Sequence, residues 1–206
     1  MTSPSRSRVD RITAEDVAGR REAQVLARTD VRRALAVARA VRHPWYRCQA
    51  LCAVAEGLTS SQRDAVLSEA VDAAFEQDEP NRTACVASWP LRAMVSCGHA
   101  DLHRLIARLV DVIGKEPHGL RRLDGLAAIV GPLLADENLR AKAWRPFEAA
   151  AAASTGWRTE RIVAFMAQAL AEHDRAAALR LLAGRPANRF AHKARVAIDA
   201  MATPLR

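Results

Sequence analysis

The chain has 206 residues, half of them hydrophobic, and carries 31 Lys and Arg against 23 Asp and Glu for a formal net charge of +8. No stretch approaches the roughly 18 uninterrupted apolar residues of a membrane span, and the opening MTSPSRSR lacks the apolar core of a secretory signal, so a soluble cytoplasmic chain is expected. Only Lys115, Lys142 and Lys193 are lysines; the basicity is arginine basicity beside heavy alanine use, a coding bias that raises the isoelectric point without selection for phosphate.

Residues 1–12 are rich in Ser, Arg and Pro and read as a disordered tail, and residues 203–206 form a short C-terminal tail. Between them, 13–202 reads as one helical repeat domain. Thr13, with Asp16 three residues later, is a helix N-cap pattern. From there the apolar residues recur at helical spacing, and no alternation of β-branched residues is sustained, so strands are not expected. The punctuation by Gly, Pro, Asp and Ser predicts eleven helices: 14–28, 30–42, 44–58, 60–77, 80–96, 99–114, 117–134, 136–153, 156–172, 174–184 and 187–202. The linkers are short enough to force antiparallel neighbours, which after the leading helix gives five hairpins.

The second helix of each hairpin begins at a turn marked by Pro44, Pro80, Pro117, Gly156 or Pro186, at intervals of 36, 37, 39 and 30 residues. Proline suits a first helical turn because its missing N–H would be unpaired there anyway. Alignment on that position places Trp45 over Trp157, Leu51 over Val163, Val54 over Met166, Ala55 over Ala167 and Leu58 over Leu170, so the two tryptophans are expected to fill one structural slot. Pro90 is expected to interrupt the second helix of hairpin two, and Gly125, Gly131 and Pro132 to loosen that of hairpin three.

Helix pairs at this period are the pattern of an α-solenoid. "TDVRRALAVARAVRHPWYRCQALCAVAEGL" resembles the HEAT-like repeats of bacterial proteins: Asp30-Val31-Arg32, and Leu139-Arg140 followed by Ala143, look like the Asp, Val/Leu-Arg and Ala positions of such units, and Pro146 falls inside a first helix where those units are often kinked. The resemblance covers residues 30–202 and implies an all-α, right-handed α-solenoid of about five hairpins; it implies no catalytic residue. A compact helical bundle with degenerate internal symmetry is the alternative.

Three constellations invite chemistry. Cys48 and Cys52 stand one turn apart, yet they share the apolar stripe of Leu51, Ala55 and Leu58, which reads as core packing; with Cys85 and Cys97 they are expected to be reduced thiols. "SCGHADLH" offers Cys97, His99 and His103 as metal ligands, but Gly98 and Asp101 read as a helix stop and N-cap and no fourth ligand is apparent, so no metal or cofactor is expected. Trp45, Trp89, Trp144 and Trp157 in a basic helical-repeat chain resemble, coarsely, the HEAT-like alkylpurine DNA glycosylases, with Arg140, Lys142, Arg145 and Glu148 around Trp144. Nucleophile-elbow, P-loop, dinucleotide-binding, zincin and EF-hand patterns are absent.

The expected function is a non-enzymatic scaffold that binds an acidic protein partner through an arginine-rich concave face bearing Arg47, Arg82, Arg121, Arg122, Arg158, Arg161, Arg189 and Lys193; nucleic-acid binding is the alternative. Charge is uneven along the chain: residues 60–80 hold six acids against Arg63, whereas 175–206 hold six arginines and Lys193 against Asp199. That gradient suits salt-sensitive association with an acidic partner.

Overall fold

A computed structural model describes residues 11–201, so both tails, apart from Arg11 and Ile12 at the end of the first, lie outside the described residues. Those residues hold eleven α-helices: α1 (Ala14–Leu26), α2 (Val31–Ala40), α3 (Pro44–Ala55), α4 (Ser60–Phe75), α5 (Pro80–Cys97), α6 (Leu102–Gly114), α7 (Gly119–Val130), α8 (Glu137–Ala153), α9 (Trp157–Ala171), α10 (Arg175–Leu182) and α11 (Arg189–Met201). A 3₁₀ turn at Gly131–Leu133 follows α7, and there is no strand among the described residues. No described helix is long and apolar enough to cross a membrane.

The helices start where side chains satisfy their first backbone N–H groups. Thr13 and Asp16 form a reciprocal capping box on α1. Asp30, Asp136 and Asp174 accept from the N–H of Arg33, Leu139 and Ala177 at 3.0, 3.0 and 2.9 Å. His43 caps α3 through Nδ1, which accepts from the Trp45 N–H at 3.2 Å. Pro44 and Pro80 occupy the first helical positions of α3 and α5. Pro117 and Pro186 instead precede their helices, and Asn188 starts α11 by accepting the N–H groups of Phe190 and Ala191 at 2.9 and 3.0 Å.

The chain divides into two compact units, Met1–Leu102 and His103–Arg206. In the first, α1, α3 and α5 lie side by side, with α2 against α1 and α3, and α4 against α3 and α5. In the second, α9 packs against α7 and α11, α8 against α7, and α10 against α9 and α11. Packing is thus chiefly between neighbours in sequence. Its closest pairs are α1 with α2, α3 with α4, α7 with α8 and α9 with α10. Helix α3 therefore meets α4 of the next expected hairpin more extensively than its own partner α2, whereas α5 packs chiefly against α4 of its own hairpin.

The core of the first unit is rich in alanine, valine and leucine, and that of the second in leucine and isoleucine around Phe147. Leu51, Val54 and Ala55 of α3 are buried, as are their aligned counterparts Val163, Met166 and Ala167 of α9. Asp16 ties α1 to the corner between α2 and α3: one carboxylate oxygen accepts from the Thr13 N–H and hydroxyl at 2.9 and 2.8 Å, and the other from the N–H groups of Arg42 and His43 at 3.2 and 2.9 Å. Burial pushes this carboxyl up, but the hydrogen bonds from His43 and Thr13 outweigh it and hold the group below the usual carboxylate range.

Pro90 does not interrupt α5, which runs unbroken from Pro80 to Cys97 with the proline buried inside it. A proline within a helix removes the N–H that would bond the carbonyl four residues back. Here that carbonyl belongs to Val86, and the Cys48 thiol of α3 donates to it at 3.6 Å. The cysteine of the neighbouring helix thereby supplies a donor where the proline withholds one.

Candidate functional site

Exposed aromatic and cationic side chains of the second unit come together near the starts of α9 and α11. Gly156 precedes α9 with φ 101° and ψ 164°, a conformation that side-chain-bearing residues rarely adopt. It launches the helix at Trp157, which is 57% exposed. The guanidinium carbons of Arg158 and Arg161 lie 5.3 and 5.6 Å from the indole centroid, within cation–π range. Phe165, 67% exposed, follows Arg161 by one further turn of the same helix. On α11, Arg189 covers the Phe190 ring at 4.7 Å.

These two helix starts border a hollow of about 670 Å³ lined by Trp157, Glu160, Arg185, Asn188, Arg189 and Phe190. Its wall is fixed by a buried ion pair. Glu160 and Arg185, with side chains only 10% and 13% exposed, pair through two hydrogen bonds, and Asn188 donates to the same carboxylate at 3.2 Å. Arg185 also donates to the carbonyl oxygens of Ala151 and Ser154 at 2.8 and 3.4 Å. One guanidinium thus joins the end of α8, the start of α9 and the loop into α11. Every polar contact of this knot serves the fold, which leaves Arg158, Arg161 and Arg189 as the groups available to a ligand.

Of the eight cations expected on a binding ridge, Arg189 lines this hollow, Arg158 and Arg161 lie against the indole of Trp157 at its border, and Lys193 stands exposed one turn beyond Arg189. None of these four forms an ion pair among the described residues. The others are occupied. Arg47 is half-buried, pairs with Glu76, and donates to the carbonyl oxygens of Val41 and Arg42 at 3.3 and 3.1 Å, closing the corner between α2 and α3. Arg82 pairs with Asp78 and Glu79 at 3.6 and 3.5 Å on its own helix start. Arg121 lies 3.4 Å from the buried Glu116, whose backbone carbonyl accepts from Arg122 at 2.8 Å.

Ion pairing also changes the charge gradient read along the chain. Glu69 of α4 and Glu76 at its C-terminal end pair with Arg39 and Arg47, and Arg82 pairs with Asp78 and Glu79, so the acidic stretch is partly neutralised in place. Counted by unit, 14 cations face 13 anions in the first, a net +1, and 17 face 10 in the second, a net +7. Nearly all the excess positive charge belongs to the unit that carries Trp157.

The remaining constellations resolve into packing. Cys48 and Cys52 are buried; burial pushes the Cys52 thiol far above its usual range, with Cys48 adding to the effect. Among the described residues no group of three or more His, Cys, Asp or Glu is placed to hold a metal ion, Cys97, His99 and His103 included. His99 accepts from the Asp101 N–H at 3.1 Å and thereby caps the turn after Gly98, whose φ of 65° ends α5. Trp144 stacks on Phe147 at 5.4 Å beneath Arg140, and Arg140 is itself buried, donating to the Leu134 carbonyl at 2.8 Å. Trp45 is half-buried whereas Trp157 is exposed, so the aligned tryptophans do not share one slot.

Sequence reasoning did not single out Glu160, Arg185, Phe165 or Phe190. A signal for Phe165 exists: Trp157, Arg161 and Phe165 recur every fourth residue off the buried stripe of Val163, Met166, Ala167 and Leu170, and apolar residues on the wrong face of a helix mark a contact surface. The Glu160–Arg185 pair joins residues 25 apart and leaves no local pattern. Comparison of this chain with protein-family models, with curated proteins and with solved structures finds no match.

Proposed function

We propose that this protein is a non-catalytic, HEAT-like helical-repeat scaffold that holds an acidic segment of a partner protein against the starts of α9 and α11. The observation that carries the reading is the exposed Trp157 indole flanked by Arg158 and Arg161, neither of which has a carboxylate partner of its own. Tryptophan and arginine are the side chains most enriched at the energetic centres of protein interfaces. Here the indole stands at the start of a helix whose Glu160 is locked to Arg185, so the backbone that carries it is already ordered before binding. The +7 charge of the second unit favours an acidic partner and fast, salt-sensitive association.

Fluorescence anisotropy of a labelled peptide rich in Asp and Glu with one central Leu tests this. Binding should weaken steeply between low and high salt, and Trp157→Ala or the double change Arg158→Ala, Arg161→Ala should each reduce affinity at least about tenfold. Affinity unchanged by salt and by both variants would refute the assignment. Single-stranded nucleic acid is the second reading, favoured by the same indole, since bases stack on aromatic faces beside arginine. A gel shift with oligothymidine at low salt separates the two, because no shift removes the second reading.

A further inference from the structure

The first unit contains a separate cleft of about 1210 Å³ between the C-terminal ends of α1 and α3 and the later half of α5. Its floor is made of small residues, among them Ala53, Ala55, Gly57 and Ala93. Gly57 suits this close approach of the ends of α1 and α3: a Cβ atom there would stand 3.0 Å from the Ala27 carbonyl oxygen, a tight contact that the neighbouring backbone would have to relieve. The volume lies at or above the upper end of the about 300–1,000 Å³ range of small-molecule sites.

The charged residues of this cleft differ from Glu69 and Glu76, which are held in ion pairs. Arg28, Arg63 and Arg92 line it together with the single carboxylate Glu56, and none of the four forms an ion pair among the described residues. Arg63 donates from one terminal nitrogen to the Leu58 carbonyl at 3.0 Å, which fixes the guanidinium. Its Nε is buried and has no hydrogen-bond acceptor. A buried donor without an acceptor in the chain can be satisfied by an acceptor group of a bound molecule. On the wall beside Arg92, one turn earlier on α5, Trp89 remains 48% exposed although it borders the hollow.

We propose that this cleft is a binding site for a nucleoside di- or triphosphate. Three arginines against one carboxylate match a polyphosphate, and the planar guanidinium fork satisfies two phosphate oxygens at once. The Trp89 indole offers a face for the base, and Glu56 is the one carboxylate in the cleft that would accept from an exocyclic amine. The inference is independent of the assignment of the α9 and α11 surface, which lies in the other unit.

Isothermal titration of the full chain at low salt with ATP, inorganic tripolyphosphate and adenosine tests it. ATP should bind saturably, with tripolyphosphate and adenosine each weaker by about tenfold or more. Arg28 and Arg92 are exposed, so Arg28→Ala, Arg92→Ala should leave the helical circular dichroism intact while lowering ATP affinity about tenfold. Trp89→Phe should narrow the gap between ATP and tripolyphosphate. Arg158→Ala, Arg161→Ala should leave ATP binding unchanged. The proposal is overturned by absence of saturable ATP binding up to about 1 mM, by tripolyphosphate binding as tightly as ATP, or by ATP affinity that survives loss of Arg28 and Arg92.

Discussion

The thiol of Cys48 donates to the carbonyl oxygen of Val86, the oxygen that Pro90 leaves without its helical partner. A cysteine that resembles a reactive group in sequence is therefore a hydrogen-bond donor whose purpose is set by a proline on the next helix. Cys48→Ala should cost about 1–2 kcal/mol by orphaning a buried carbonyl and removing a buried sulfur. Pro90→Ala restores the N–H on α5, so the same cysteine change made on that background should cost measurably less. Urea unfolding of the two single variants and the double variant closes the cycle, and additive effects would show that the thiol does not serve that carbonyl.

Asp16 makes stability depend on pH. Its carboxyl titrates below its ordinary value in the folded chain, so the folded state favours the ionised form. That contribution is complete above the unfolded value of about 3.9 and is lost as pH falls through the lower folded value. Asp16→Asn should cost about 1–3 kcal/mol at neutral pH. The gap between variant and parent urea midpoints should then shrink as pH is lowered from neutrality toward 3.

The sequence places Arg47 on the partner-binding ridge. Its guanidinium instead pairs with Glu76 and caps the carbonyl ends of Val41 and Arg42. Arg47→Ala should lower stability by about 1–2 kcal/mol through the carbonyl bonds, the exposed side of the ion pair adding little. Affinity for the acidic peptide should not change. Thermal denaturation and anisotropy on the same preparation measure both effects.

The Glu160–Arg185 pair should show the asymmetry of buried charges. Removing one partner strands the other, so Arg185→Met should destabilise the second unit by about 3–5 kcal/mol. Pairing that change with Glu160→Met removes both charges and should recover part of the loss. Chemical denaturation of both variants reports it, and a double variant no better than the single one would contradict a dominant charge-desolvation cost.

The sequence carried helix placement unusually far because caps and prolines are local devices. Every helix begins within three residues of its expected start, since Thr13, Asp30, Pro44, Pro80, Asp136 and Asp174 act on the next few N–H groups only. Pro90 misled because its cost depends on whether another helix supplies a donor, and Cys48 lies 38 residues away. The arginines misled for the same reason: Arg47, Arg82, Arg121 and Arg158 look alike in a sequence, and only the placement of Glu76, Asp78, Glu79 and Glu116 separates the first three from the fourth. Tryptophan alignment failed where burial, which depends on neighbours outside the repeat, differed between Trp45 and Trp157.

Gly156 gives this last contrast a consequence. A Cβ atom there would touch nothing, so space places no restriction on the position; only the φ of 101° does. Replacement by alanine would therefore act as a torsional perturbation, turning the first residues of α9 while leaving every contact of the hollow chemically available. The indole and its two arginines would be re-aimed as a set, like a hand turned at the wrist. The direction of the proposed binding surface thus depends on a residue that contributes no side chain to it.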